Sequence, residues 1–191
     1  MSVTNPQIVR TRRAVLDAAT ELLVERGVGG ITIDGVSGRS RVARSTIYRH
    51  WPDLRSLVAD AFAELAGAPP ATPDTGDVRQ ELVEVFRLLA HGITVAPSLQ
   101  VLPSMADAAQ RDERLSKLLA DFIDAQREPA REVVRRGVQR GQLPAGTNVE
   151  WLLDAIGGPL FYRRLVSRRE PAEPGLVEYL VDAAVDAARH A

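Results

Sequence analysis

The stretch of sequence that decides the fold covers residues 32–57 and reads TIDGVSGRSRVARSTIYRHWPDLRSL. It fits two short helices joined by a tight turn, the first over about 33–39 and the second over about 43–50. The second helix ends before Pro52, because the residue that precedes a proline avoids the α region. The pattern therefore predicts a helix-turn-helix.

Side chains suited to binding DNA surround the predicted turn. A helix-turn-helix places the N-terminal end of its second helix in the major groove, and cations and hydroxyls around that helix hold phosphates. Long apolar side chains are absent from residues 44–46, as suits a surface that faces a ligand. The alternative is a solvated basic face on a small helical bundle. The candidate residues are Arg39, Arg41, Arg44, Ser45, Thr46, Tyr48, Arg49 and His50.

The charge distribution favours an anionic partner at one end of the chain. Residues 1–55 hold nine arginines and five acidic residues, a net charge of +4. The remaining 136 residues hold 15 basic and 20 acidic groups, a net charge of −5. A basic N-terminal segment on an acidic body fits a nucleic-acid partner, although a difference of this size also arises by chance.

Helical periodicity extends over the rest of the 191 residues, so the sequence predicts an all-α fold of about nine helices. Asn5 is placed to cap the first helix, which ends before Gly27. Prolines and glycine between residues 67 and 73 mark a linker. The predicted domains are a three-helix DNA-binding head at 1–67 with its helix-turn-helix at about 32–51, a linker at 68–76, and a helical bundle at 77–191. The other predicted helices cover about 53–66, 112–140, 148–167 and 174–189, with one over Val78 to Leu89 and a short one after Pro97.

Composition and motifs argue against several classes of protein. The chain has no cysteine, which excludes disulfides and thiol catalysis, and its three histidines are far apart in sequence. No phosphate-binding loop or nucleophile elbow is present. We therefore predict no enzyme, no cofactor and no metal. The start of the chain lacks a signal peptide and prolines interrupt the uncharged stretch 88–106, so we expect a cytoplasmic protein without a membrane span.

Residues 45–52, which read STIYRHWP, resemble the helix 3 to helix 4 signature of the TetR family of transcriptional repressors. AVLDAA at residues 14–19, together with Glu25-Arg26-Gly27, is similar to the same N-terminal domain. The resemblance is close over about residues 8–66 and looser beyond, in the order of the helices and in residues 154–166.

This resemblance implies roles for individual residues of the head. Residues like Thr32, Arg44, Ser45, Thr46, Tyr48 and His50 contact DNA in the family. Tyr48 and His50 would hold phosphates, whereas Arg44 and Ser45 are better placed for bases. Ile47 would face inward against Val36 and Val15, and Trp51 would fill the junction with the fourth helix.

Three positions depart from the family pattern. Arg41 stands where the family usually has glycine in the turn, and it is a candidate for an extra phosphate contact. Ala43 stands where serine usually caps the recognition helix, a loss of about 1 kcal/mol unless Ser40 or a phosphate substitutes. The cation usual near Leu54 is Arg55 here.

The resemblance also implies a ligand pocket and a dimer interface in the C-terminal helices. An ordinary core is the alternative for each pocket residue, and packing within one subunit is the alternative for the interface. The predicted pocket comprises Phe86, Leu89, Ile93, Leu102, Met105, Phe122, Gln126, Trp151 and Phe161. The predicted interface comprises Trp151, Leu160, Val177, Leu180, Val181, Ala184 and Ala188.

The sequence therefore predicts a bacterial DNA-binding regulator, most simply a repressor. It would bind a palindromic operator on double-stranded DNA as a homodimer, and a small, neutral or weakly polar effector would release it. The alternative is a helical small-molecule-binding or scaffold protein without specific DNA binding.

Overall fold

The computed structural model describes residues 6–190, and over that range it is built from nine α-helices without a strand. The all-α prediction is confirmed, whereas the predicted cap at Asn5 lies outside the described residues. The helices are α1 Pro6–Gly30, α2 Ile33–Ser40, α3 Arg44–His50, α4 Leu54–Ala66, α5 Val78–Val95, α6 Pro97–Ala109, α7 Glu113–Gln139, α8 Val149–Leu165 and α9 Leu176–His190.

The helices pack into two compact units that do not follow chain order. Within the described residues, the first unit contains residues 6–67 together with Gln100–Phe122, and the second contains Ala68–Leu99 together with residues 123–190. Most of α6 and the start of α7 therefore belong with α1–α4, although in sequence they follow the linker. The functional division at residues 68–76 remains a prediction.

The core of the first unit forms where α1, α3 and α4 meet. Val15 and Leu23 of α1, Ile47 of α3 and Phe62 of α4 are fully buried. The Phe122 ring packs edge-on against Phe62, with 5.0 Å between ring centroids. The apolar side chains of these helices therefore share one core.

Gly27 interrupts α1 near the predicted end of that helix. Its φ of 66° and ψ of −178° are not helical, and a helical turn resumes as far as Gly30, beyond the point where the sequence predicted the helix to end. A Cβ at Gly27 would lie 2.9 Å from Ser104 Cβ. Glycine is thus required both for the left-handed backbone and for the close approach of residue 104.

The core of the second unit lies between α5, α8 and α9, which pack on one another. Asp77 caps α5 by accepting a hydrogen bond from Gln80 N, at 2.8 Å. Asn148 caps α8 by accepting one from Trp151 N at 3.1 Å.

A buried carboxylate in the second unit links α5 to the residues before it and to the C-terminal end of α7. Glu81 of α5 is fully buried and accepts hydrogen bonds from the backbone N–H groups of Thr75 and Gly76 at 2.9 and 2.8 Å. Arg136 of α7 and Arg140, which directly follows that helix, lie 3.1 and 3.2 Å from its two oxygens. The carboxylate therefore fastens residues 75–76 to α5 and α7, an arrangement that the sequence pattern did not predict.

No single helix among residues 6–190 has both the length and the hydropathy that crossing a membrane requires, although the consecutive helices α5 and α6 meet the test when taken together.

Candidate nucleic-acid interface

Residues 32–51 form the two helices and the turn that the sequence predicted. Thr32 caps α2, since its hydroxyl accepts a hydrogen bond from Gly35 N at 3.0 Å. Arg41 ends α2 in the left-handed conformation, with φ 57° and ψ 27°. The turn thus keeps the backbone geometry that favours glycine, but with an arginine in it.

Two serines hold the turn closed. Ser37 Oγ donates to the carbonyl of Val42 at 2.8 Å. Ser40 Oγ donates to the carbonyl of Val36 at 2.7 Å and accepts from Val42 N at 3.3 Å. Ser40 is therefore occupied within the turn, and Ala43 gives α3 no side-chain cap.

The inner face of α3 is anchored by apolar contacts and by one hydrogen bond. Ile47 is fully buried, and so is Val36 of α2, as predicted. Trp51, 2% exposed, lies at the junction with α4, where its indole N–H donates to Asp60 Oδ2 at 3.0 Å. The Arg12 guanidinium lies over the Trp51 ring at 5.3 Å and 2.7 Å from Asp60 Oδ2. These contacts fix which face of α3 points outward.

The predicted DNA-binding residues lie on α3, in the turn before it and at the start of α2. Thr46 and His50 are partly buried, and the remaining six are exposed: Thr32, Arg41, Arg44, Ser45, Tyr48 and Arg49. The structure thus brings all eight to the surface of one small motif. Their individual contacts with DNA remain predictions.

The arginines around the motif differ in their carboxylate partners. Arg39 donates to both oxygens of Glu25 at 2.6 and 2.8 Å, and this hydrogen bonding lowers the pKa of Glu25 and raises that of Arg39. Arg44 Nε lies 2.6 Å from Asp34 Oδ1. Within residues 6–190, Arg41 and Arg49 pair with no carboxylate. The positive charge free to meet an anion is therefore at Arg41 and Arg49.

Sequence reasoning missed the two carboxylates of this motif. Glu25 and Asp34 lie 14 and 10 residues before their arginine partners, on different helices. No helical periodicity links such positions, so the sequence held no signal for either ion pair.

The residues of the predicted ligand pocket are divided between the two units. In the second unit Phe86 and Ile93 belong to the apolar core, and Leu89 and Phe161 pack against it. Gln126 of that unit is partly buried and Trp151 is 74% exposed, whereas Leu102, Met105 and Phe122 belong to the first unit. One cluster therefore unites four of the nine predicted residues, and ordinary core packing remains the alternative for each.

The predicted interface residues also fall into different environments. Four of them, Leu160, Val177, Val181 and Ala184, are buried within the second unit itself. Packing within one subunit, the alternative interpretation of the sequence, accounts for these four because α8 buries Leu160 and α9 buries the other three in the core of their own chain. Leu180 and Ala188 are partly buried, and Trp151 is exposed.

An exposed apolar face that the sequence did not single out lies on α8 and α9. Tyr162, Leu165 and Tyr179 are 58%, 49% and 69% exposed. We call these three residues and Trp151 the outer face of α8 and α9.

A helix-turn-helix with an anchored inner face and a polar outer face, followed by a helical bundle, defines a DNA-binding regulator. Residues 15–61 match the profile described as "Bacterial regulatory proteins, tetR family". Residues 72–184 match the "Tetracyclin repressor-like, C-terminal domain". The chain belongs to the TetR family of bacterial transcriptional regulators, as the STIYRHWP stretch indicated.

Relatives of similar length carry the same assignment. The chain is 32% identical over 166 residues to the uncharacterized regulator YdeS of Bacillus subtilis, covering 86% of this chain and 83% of YdeS. It is 25% identical to the DNA-binding transcriptional repressor TetR of Mycobacteroides abscessus, covering 88% of each chain. The crystal structure of the TetR family regulator SCO0332 is 32% identical, with a TM-score of 0.63 over 92% of this chain and 97% of that one.

Proposed function

We propose that this regulator is a repressor that binds a two-fold symmetric operator as a homodimer and leaves it when a small molecule binds. The observation that carries the proposal is the outer face of α3, which is polar and exposed while Ile47 and Trp51 hold its inner face. Similarity to a protein named as a repressor supports repression rather than activation.

The residues of the motif would divide between bases and phosphates. Arg44 and Ser45, at the start of α3, would address base edges, where an arginine paired with guanine contributes about 1–3 kcal/mol of discrimination. Arg41, Tyr48 and Arg49 would hold phosphates, with Thr32, Thr46 and His50 beside them. Phosphate contacts position the protein and base contacts set the sequence.

For the test, the wild-type protein first selects its preferred DNA sequence from a random pool. Fluorescence anisotropy then measures the affinity for that sequence at several salt concentrations. Arg44→Ala should reduce the preference for the selected sequence by about 5-fold to 150-fold, the range expected for one arginine–guanine contact. Arg49→Gln should weaken binding to every sequence and reduce the salt dependence. Lys117→Ala, which removes an exposed cation outside the motif, is the control. A wild-type protein without sequence preference would favour a helical ligand-binding or scaffold protein instead.

Dimerisation would use the outer face of α8 and α9. Its aromatic side chains are far more exposed than is usual for such residues, and exposed apolar surface of this kind favours a protein interface. A two-fold dimer also meets the need of a helix-turn-helix to read two half-sites about 34–36 Å apart.

Size-exclusion chromatography with light scattering tests the interface. The double variant Trp151→Glu/Tyr179→Glu should convert dimers to monomers, because burying two carboxylates across a symmetry axis is unfavourable. Leu88→Glu, at a 52% exposed position of α5, is the matched control and should remain dimeric. A monomeric wild-type protein would refute the proposed dimer.

The effector site would lie at the apolar cluster of Phe86, Leu89, Ile93 and Phe161 and take a neutral or weakly polar molecule. Leu89 packs against the core whereas the adjacent Leu88 is exposed, which provides a matched pair. Leu89→Trp should retain operator binding and lose release by small neutral compounds, and Leu88→Trp should keep both. Release that survives in Leu89→Trp would place the effector elsewhere. The protein would act in the bacterial cytoplasm, where its operator lies, without catalytic turnover.

A further inference from the structure

We infer that Asp34 is a specificity-determining residue that positions Arg44 for the recognition of guanine. The inference rests on the proposed role of Arg44 in base contact and adds a residue that the recognition helix does not itself contain.

The geometry of the ion pair supports this role. Asp34 lies in the first turn of α2, and Arg44 is the first residue of α3. The closest approach is from Arg44 Nε to Asp34 Oδ1, at 2.6 Å. A guanidinium presents donors along its Nε side and at its Nη1–Nη2 end. A carboxylate at Nε leaves the terminal pair of donors available for the O6 and N7 acceptors of one guanine.

Restriction of the arginine side chain is the source of specificity. Free arginine samples many rotamers, and it satisfies a phosphate on either side of the groove as readily as a base. The ion pair at Nε favours rotamers that keep the guanidinium beside Asp34 before DNA arrives, so the contact with guanine costs less ordering.

The position of Asp34 is otherwise unfavourable for a DNA-binding surface. Both side chains of the pair are 65% exposed, so the pair contributes little to folding. A carboxylate near DNA repels phosphates, and it lowers the affinity for any sequence. The arginines proposed to hold phosphates, Arg41 and Arg49, lack such a partner within the part of the chain that the structure describes. A carboxylate beside Arg44 therefore favours selectivity over affinity.

The experiment compares Asp34→Ala, Asp34→Asn and the wild-type protein on three sets of duplexes. These are the sequence that the wild-type protein selects from a random pool, the same sequence with each base pair exchanged in turn, and an unrelated duplex. At one symmetric guanine position, both variants should reduce the preference for guanine over adenine at least 5-fold. Their affinity for the unrelated duplex should stay unchanged or rise.

Glu25→Ala is the matched control, since it removes the carboxylate partner of Arg39 from the same motif. It should change binding to every duplex equally and leave the guanine preference intact. Arg44→Ala should lose preference at the same base pair as Asp34→Ala, and the double variant should lose no more than Arg44→Ala alone.

Two outcomes would overturn the inference while the proposed function stands. One is sequence-specific binding in which Asp34→Ala weakens all duplexes equally, since Asp34 would then act only on folding or net charge. The other is a selected sequence without a guanine that depends on Arg44. A wild-type protein that binds every duplex alike would overturn both the inference and the proposed function.

Discussion

Replacing Arg41 by glycine should make the protein more stable and weaken its binding to DNA. Arg41 adopts φ 57° and ψ 27°, a left-handed conformation that costs an L-residue about 1–2 kcal/mol. Glycine avoids that cost, and its larger entropy in the unfolded chain opposes the gain by about 0.5–1 kcal/mol. The guanidinium of Arg41 has no ion pair within residues 6–190, so its removal breaks no contact of the fold.

The net gain should be about 0.5–1 kcal/mol, which raises the Tm by about 1–4 °C for a chain of this size. The same change removes one proposed phosphate contact from each subunit. For a dimer, the slope of log affinity against log salt should therefore become shallower by about 1.8.

Calorimetry and salt-dependent anisotropy on the same preparations test both effects. Arg41→Lys is the control, because it keeps the charge and the left-handed strain, so it should leave the Tm and the salt slope nearly unchanged. A lower Tm in Arg41→Gly would refute the argument from the backbone. An unchanged salt slope would show that Arg41 does not hold a phosphate.

Three further changes probe the second unit. Glu81→Gln should lower the free energy of unfolding by about 3 kcal/mol in urea titrations, because Arg136 and Arg140 lose a buried partner; a loss below 1 kcal/mol would contradict this. Asn148→Ala should cost about 1 kcal/mol through loss of the α8 cap, whereas Asn148→Asp should retain it. Hydrogen bonding from Arg131 lowers the pKa of Glu150 below its usual 4.5, so this pair stabilises the protein at neutral pH and the stability is lost as acid protonates the carboxylate. Urea midpoints measured from pH 6 downward should fall less steeply in Glu150→Gln, and parallel curves would refute the linkage.

The sequence specified most of the local structure because each element carries its own signals. The cap at Asn148, the break at Gly27 and the proline after Trp51 depend on neighbouring residues only, and the structure has helix boundaries close to all three. The inward direction of Ile47 was implied by the resemblance of residues 45–52 to the TetR family signature, and the structure buries this side chain. Once Ile47 faces inward, helical spacing places the polar residues of α3 on its outward side.

Features that depend on distant packing were not predictable in this way. The stripe of Val177, Val181 and Ala184 showed that α9 buries one face, but periodicity does not tell whether that face meets its own chain or a second copy. The pairing of Asp34 with Arg44 requires α2 and α3 to be folded against each other. Likewise, the sequence alone suggests that Glu81 is exposed, because the two arginines that pair with it lie 55 and 59 residues further along the chain.

The discontinuous first unit constrains how this protein can be engineered. A fragment cut at Gly67 would keep α1–α4 but lose Gln100–Phe122, leaving the Phe62 ring without Phe122 and Arg55 without Asp112, which lies 2.7 Å away. Chimeras that join α1–α4 to the ligand-binding helices of another regulator should therefore also carry Gln100–Phe122. Otherwise they need other side chains that fill the space left by that segment.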